Sequence, residues 1–189
     1  MPSVFSHAIA AVAIGGVAVG GRSRAAIWGL GALCAVAPDL DVVVSFVFGI
    51  PYSHILGHRG LSHSLLVAVV LAALVAAVAH RVLPESPATA KLWLFFFLAT
   101  ASHGLLDSMT NGGLGVAFFA PFSDTRYFLP WRPILVSPIS IHVFLGYRGF
   151  RVMWSELGWI WVPAALVFLG GLALRRRAAT SRRLLSEET

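Results

Sequence analysis

The sequence predicts an all-α fold, a polytopic membrane bundle of about four to five transmembrane helices beneath a long interfacial loop. Three observations predict it. Of the 189 residues, 58% are hydrophobic and only 12% are charged, against about 25% charged in an average soluble domain. The apolar residues gather in stretches of the length that a bilayer crossing needs, roughly 20 residues. The carboxylates are segregated: Asp39, Asp41 and Asp107 lie inside or at the ends of apolar stretches, whereas Glu85, Glu156, Glu187 and Glu188 fall in polar connections or in the tail.

Five stretches qualify in turn. Residues 4–21 are short and Gly-rich, and Gly15, Gly16, Gly20 and Gly21 permit close helix contact. No Lys or Arg precedes this run, so it reads as a retained helix rather than a cleaved signal. Residues 25–48 form a second stretch, interrupted near Pro38, where the backbone ladder must break. Residues 62–79, 92–109 and 157–174 complete the set. Residues 110–156 are too long for a turn. Their FFAPFSDTRYFLPWRPI run is rich in Pro and in the aromatics that favour a membrane interface, and reads as a cap over the outer leaflet. The expected organisation is one membrane-embedded domain, 1–174, followed by a basic cytoplasmic tail, 175–189.

Charge orients the bundle. Arg22 and Arg24 separate the first two stretches, Arg81 and Lys91 the third and fourth, and Arg175, Arg176, Arg177, Arg182 and Arg183 follow the fifth. Placing these in the cytoplasm puts nine of the fourteen Lys and Arg inside, with the N-terminus outside. The net charge of +6 is therefore a matter of topology, and nucleic acid is not the expected partner. Cys34 is alone; it forms no internal disulfide and reads as a small core residue.

In this topology the residues capable of chemistry fall at one depth, on the outer side. His103 and Asp107, four apart, share a helix face. Asp39 and Asp41 follow Pro38, and in an extended or turned conformation both reach a common cavity; Asp39 as a simple helix N-cap would explain one carboxylate but not two. In HRGLSHS, Ser62 reads as an N-cap, with His63 in the helix and His58 in the turn before it. A helix N-terminus would keep His63 neutral, as a ligand must be. His7 matches the others in depth. His54 and His142 lack a carboxylate at useful spacing, and His80 reads as a boundary residue. Intramembrane carboxylates persist where something pairs with them, and here the expected partner is a divalent metal.

The expected metal residues are thus His7, Asp39, Asp41, His58, His63, His103 and Asp107. A catalytic zinc takes about three protein ligands, so either two ions are held or some of these residues orient the others. Mixed His/Asp ligation suits zinc, with manganese or iron as alternatives. Arg59 and Asp107 are the expected catalytic residues. Arg59, Arg126 and Arg132 are the expected holders of an anionic group.

PDLD, HRGLSHS and HGLLDSMTNGG, in that order between hydrophobic helices, resemble the YdjM-like family of inner-membrane, metal-dependent hydrolases. The resemblance runs from His7 through PFSDTRYF, and the region after Tyr147 adds nothing to it. It implies a prokaryotic inner-membrane hydrolase, a phosphoesterase, with metal residues at Asp39, Asp41, His58, His63, His103, Asp107 and His7. It also implies kinship with the helical zinc-dependent phospholipase C and nuclease group. The expected function is hydrolysis of a lipid or lipid-linked phosphoester by a metal-activated water. The alternatives are a metal or proton transporter, and a non-catalytic membrane protein with a structural His/Asp metal site. Membrane lipids are the expected partners.

Overall fold

In a computed structural model of the chain, residues 1–83 and 85–187 are described, the side chains of 179 and 182–187 excepted. Every regular element among them is helical and no strand forms. Four helical segments are long and apolar enough to cross a membrane: Arg24–Phe48, Leu65–Val82, Thr89–Ser108 and Tyr147–Ala178. The side chains of Arg182 and Arg183, and residues 188–189 of the expected tail, lie outside the described set.

Helix α1 (Val4–Ala18) has 15 residues, about 22 Å of helix at 1.5 Å per residue, and is shorter than a hydrocarbon core of about 30 Å. Its glycines let it pack closely. A Cβ on Gly15 would lie 2.5 Å from Trp28, and one on Gly16 would lie 2.4 Å from Phe168. Helix α2 (Arg24–Val36) gives way at Pro38 to a single 3-10 turn, Ala37–Asp39, and resumes as α3 (Leu40–Phe48). Proline cannot donate to the ladder and crowds the preceding carbonyls, so the chain tightens for one turn and does not extend. Helix α4 (Leu65–Val82) starts after Ser64, whose Oγ accepts the Val67 N–H at 3.2 Å. The cap is therefore Ser64, two residues later than the expected Ser62. Helix α5 (Thr89–Ser108) follows.

The last helix differs most from expectation. After a short α6 (Ile141–Phe144), helix α7 (Tyr147–Glu156) runs through a π turn, Leu157–Trp161, into α8 (Val162–Glu187). Pro163 explains the π turn, because its ring clashes with the carbonyl four residues back. The helix also passes residue 174 without a break. The connection after α5 is shorter than expected because YRGFRVMWSE is amphipathic: Gly149, Val152 and Glu156 are buried along one face, and Phe150 and Trp154 point outward.

Helix α4 packs along α5, α1 lies between α2 and α8, and α5 backs both α1 and α2. Ala72, Ala76 and Ala79 of α4 share one face and enter a core with Ile27, Ala35, Phe95 and Phe96. Small side chains at this spacing let membrane helices approach closely. The opposite face of α4, with Val70, Leu74 and Val78, is exposed and apolar, as a lipid-facing surface requires. The two ends of the bundle differ. At one end Arg22 pairs with Glu85 at 2.7 Å and Arg175 reaches the Gly15 carbonyl. At the other end α1 and α4 begin and α2–α3 and α5 finish, and this brings the sequence-selected His and Asp residues together.

Candidate metal centre

Asp39 occupies the N-cap position of α3, yet it makes no capping hydrogen bond. Its carboxylate turns inward and lies 3.4 Å from His103 Nε2 and 3.7 Å from His63 Nε2. One turn of α5 separates His103 from Asp107, which stands 3.4 Å from His63 Nε2 and 3.7 Å from His7 Nε2. His7 is fully buried and stacks on His103 with ring centroids 3.7 Å apart. Potential ligand atoms therefore gather from α1, the turn between α2 and α3, the turn before α4, and α5. Three overlapping sets of three, His7–His103–Asp107, Asp39–His63–His103 and Asp41–His58–His63, have ligand atoms within 4.8 Å of one another.

Hydrogen bonds divide these residues into two kinds. His103 Nδ1 lies 2.6 Å from the Ala35 carbonyl. A carbonyl only accepts, so Nδ1 carries the proton and Nε2 offers a lone pair. His63 Nδ1 faces Asp41 Oδ2 at 3.1 Å and Ser62 Oγ at 2.9 Å, which likewise aims its Nε2 inward. The two Nε2 atoms stand 2.9 Å apart. Two lone pairs at that distance repel unless a cation, proton or metal, lies between or beside them. Asp41 is of the other kind: its oxygens contact His58 Nδ1 at 2.8 Å and accept from the Arg59 N–H at 3.2 Å and Ser62 Oγ at 2.5 Å. It orients histidines in the carboxylate–histidine–metal arrangement.

Unsatisfied atoms make the same division. Among the described residues, the buried side-chain atoms without a hydrogen-bond partner include both nitrogens of His7, both oxygens of Asp39 and both oxygens of Asp107, of which Asp107 Oδ2 is ion-paired with Arg59 Nε at 3.0 Å. Buried polar groups are rarely left so, and a divalent cation is the species that would satisfy this donor set. Charge agrees. With the histidines neutral, the carboxylates of Asp39, Asp41 and Asp107 face the guanidinium of Arg59 and the Met1 amino group, 3.9 Å from Asp107 Oδ1.

His63 departs from the expectation that it stays neutral. It lies in the 3-10 turn Leu61–His63, just ahead of the Ser64 cap of α4, and not inside that helix. Burial disfavours its charge, but the carboxylates of Asp107, Asp39 and Asp41 outweigh burial and raise its pKa to about 10. Without a metal ion, the cation shared by the two imidazoles is a proton.

Two of the three arginines are engaged within the protein. Arg59 is fully buried in a left-handed backbone conformation (φ 63°). Its Nε lies 3.0 Å from Asp107 Oδ2, and its other nitrogens donate to Thr110 Oγ1 and the Gly112 carbonyl, each at 3.0 Å. Its guanidinium is taken up in positioning Asp107. Arg126 donates to the carbonyls of Tyr52, His54 and His58, bracing the turns that carry His58. Arg132 is exposed and lies over the Phe128 ring. His54, His80, Asp124 and His142 are exposed and away from the cluster.

One buried carboxylate near the cluster escaped the sequence reading. Glu156, assigned there to a polar connection, is fully buried. It accepts from the Ser3 N–H and from Ser3 Oγ and Ser6 Oγ at the start of α1. Trp161, brought round by the π turn, donates to the same Ser6 Oγ at 2.7 Å. The available signal was an acidic residue beside an apolar stretch, the same signal that marks Asp107.

Fold and site together define a multi-pass helical membrane protein with a buried His/Asp cluster able to hold a metal ion. The family model described as YdjM inner membrane protein matches residues 1–179, and the chain belongs to that family. It is 38% identical to the Inner membrane protein YbcI of Escherichia coli (strain K12) over 178 residues, 94% of this chain and 100% of that protein. These findings place the chain in the inner membrane. No solved structure matches it, and kinship with the zinc phospholipase C group stays an implication of the resemblance.

Proposed function

We propose that the protein is a membrane-bound, metal-dependent hydrolase acting on a phosphoester, with one ion held by Asp39, His63, His103 and Asp107 and with His7 beside them. The observation that carries this reading is the set of buried atoms without a hydrogen-bond partner on His7 and Asp39, beside Asp107 Oδ1. A divalent ion of the zinc, manganese or iron type supplies Lewis-acid activation of water and of a phosphoryl oxygen. The protein's own groups do the rest. Asp41 fixes the tautomer of His63 and holds His58, Arg59 holds Asp107, and the Ala35 carbonyl fixes His103. Segment 110–146 packs against the turn that carries Arg59: Ala117 donates to the Arg59 carbonyl, and Val116, Ala117 and Ile134 of the segment are buried. The clustering of basic residues at the opposite end supports an extracytoplasmic centre and a cytoplasmic C-terminus.

The test is turnover by the purified protein, loaded in turn with zinc, manganese and iron, on bis(p-nitrophenyl) phosphate and on phosphatidic acid in mixed micelles. The reading expects metal-dependent release of product that vanishes in His103→Ala and Asp39→Asn. Metal that raises the melting temperature while neither substrate is hydrolysed would favour a structural site instead.

A further inference from the structure

A groove of about 380 Å³ leads from the apolar exterior to Asp39. Its walls include Phe5 of α1, Val42 and Val43 of α3, and Ile139, Ile141 and Phe144 from the chain around α6. Phe5, Val43 and Ile141 are each more than half exposed, at 57%, 59% and 61%. In a multi-pass membrane protein such walls face hydrocarbon. At the groove's inner end the Asp39 side chain is 7% exposed, and neither of its oxygens has a hydrogen-bond partner. Largely apolar walls that lead to the unmet Asp39 carboxylate, with Met1, Ser3 and Ser137 also in the lining, describe a site for a ligand with a hydrocarbon chain and a charged head. A second cleft of about 330 Å³ flanks α3 on its other side and ends at Asp41 and Ser62. The Asp41 oxygens are already engaged by His58, Arg59 and Ser62, so no polar group there awaits a ligand.

We propose that the first groove receives one hydrocarbon chain of a lipid phosphoester, with its phosphate turned toward a cation at Asp39, so that substrate reaches the centre sideways from the bilayer. The inference names the substrate class and rests on the hydrolase proposed above. The cation is essential to it, because a bare carboxylate repels phosphate; chain and metal must bind together.

The test uses the full chain in nanodiscs of dioleoylphosphatidylglycerol, loaded with zinc, with a trace of phosphatidic acid carrying a photoactivatable diazirine in one acyl chain. Cross-links should concentrate on peptides containing Val42, Val43 and Ile141, and should fall at least about fivefold with excess unlabelled phosphatidic acid or after chelation. Val43→Trp and Ile141→Trp fill the groove from exposed positions and should lower labelling to a similar degree. Val44→Trp, in the second cleft, should not. Labelling spread evenly over the exposed faces of α4 and α8, or equal in Val43→Trp and Val44→Trp, would overturn the proposal. Turnover of phosphatidic acid by the unsubstituted protein separates the two ideas. Localised labelling without turnover supports the groove and removes the hydrolase, while turnover with unlocalised labelling does the reverse.

Discussion

At the scale of single residues, Asp39 stands where an aspartate ordinarily caps a helix, and its carboxylate instead faces two imidazole nitrogens. That choice separates ligands from supports. Asp39→Asn and Asp107→Asn, which remove carboxylates that face the imidazole Nε2 atoms, should each weaken metal binding by more than about 100-fold, whereas Asp41→Asn should cost about 10- to 100-fold as an orienting group. Competition with a chromogenic chelator measures all three, and equal losses would erase the distinction. His63 gives a pH dependence. Its pKa rises from 6.5 to about 10 on folding, so the retained proton stabilises the ion-free protein fully below the lower value and progressively less as pH rises through the upper one. Ion uptake must expel that proton, so calorimetry near pH 8 in buffers of different ionisation enthalpy should find about one proton released per ion. Zero release would show that His63 is not a ligand. The histidines and aspartates were legible in the sequence because polar groups stand out within apolar runs. Their division was not, because the Ala35 carbonyl that sets the His103 tautomer, and the Asp41 contacts that set His63, arise only on folding. Arg59 looked like a free cation for the same reason.

Among the helices, the placement of α1 depends on α7 and the π turn that follows it. Glu156 and Trp161 both grip the start of α1, one turn from His7. Glu156→Gln removes a charge-assisted bond worth about 1.5–3 kcal/mol. It should lower the melting temperature in detergent and weaken metal binding through His7, while the exposed Asp124→Asn leaves both unchanged. A Glu156→Gln protein that melts and binds metal normally would remove α7 from the account of the site. The spans themselves were readable from apolar run length, and their ends were less so. Ser62 and Ser64 both look like caps, and only the diversion of Ser62 Oγ to Asp41 leaves Ser64 as the cap in use. The early start at Tyr147 was hidden because YRGFRVMWSE is amphipathic and interrupts no polar gap that hydropathy could register.

Over the whole molecule, the cluster lies at one end and Arg22, Arg24 and Arg175 at the other, so charge bias and chemistry point in opposite directions across the bilayer. In a Cys34→Ala background, a membrane-impermeant thiol reagent added to intact cells should label Thr125→Cys and spare Ser181→Cys; the reverse pattern would put the centre on the cytoplasmic side. The fold class was legible because a bilayer imposes run lengths and a charge asymmetry that a sequence displays directly. The gathering of four helices around one cavity was only implied by matched depth. The most direct test of that gathering is the metal content of the detergent-purified protein after incubation with zinc, manganese or iron. The account predicts about one ion per chain, and almost none in an Asp39→Asn/Asp107→Asn double variant that keeps its helical circular dichroism. A wild-type protein that retains no ion, or a double variant that retains as many, would contradict it.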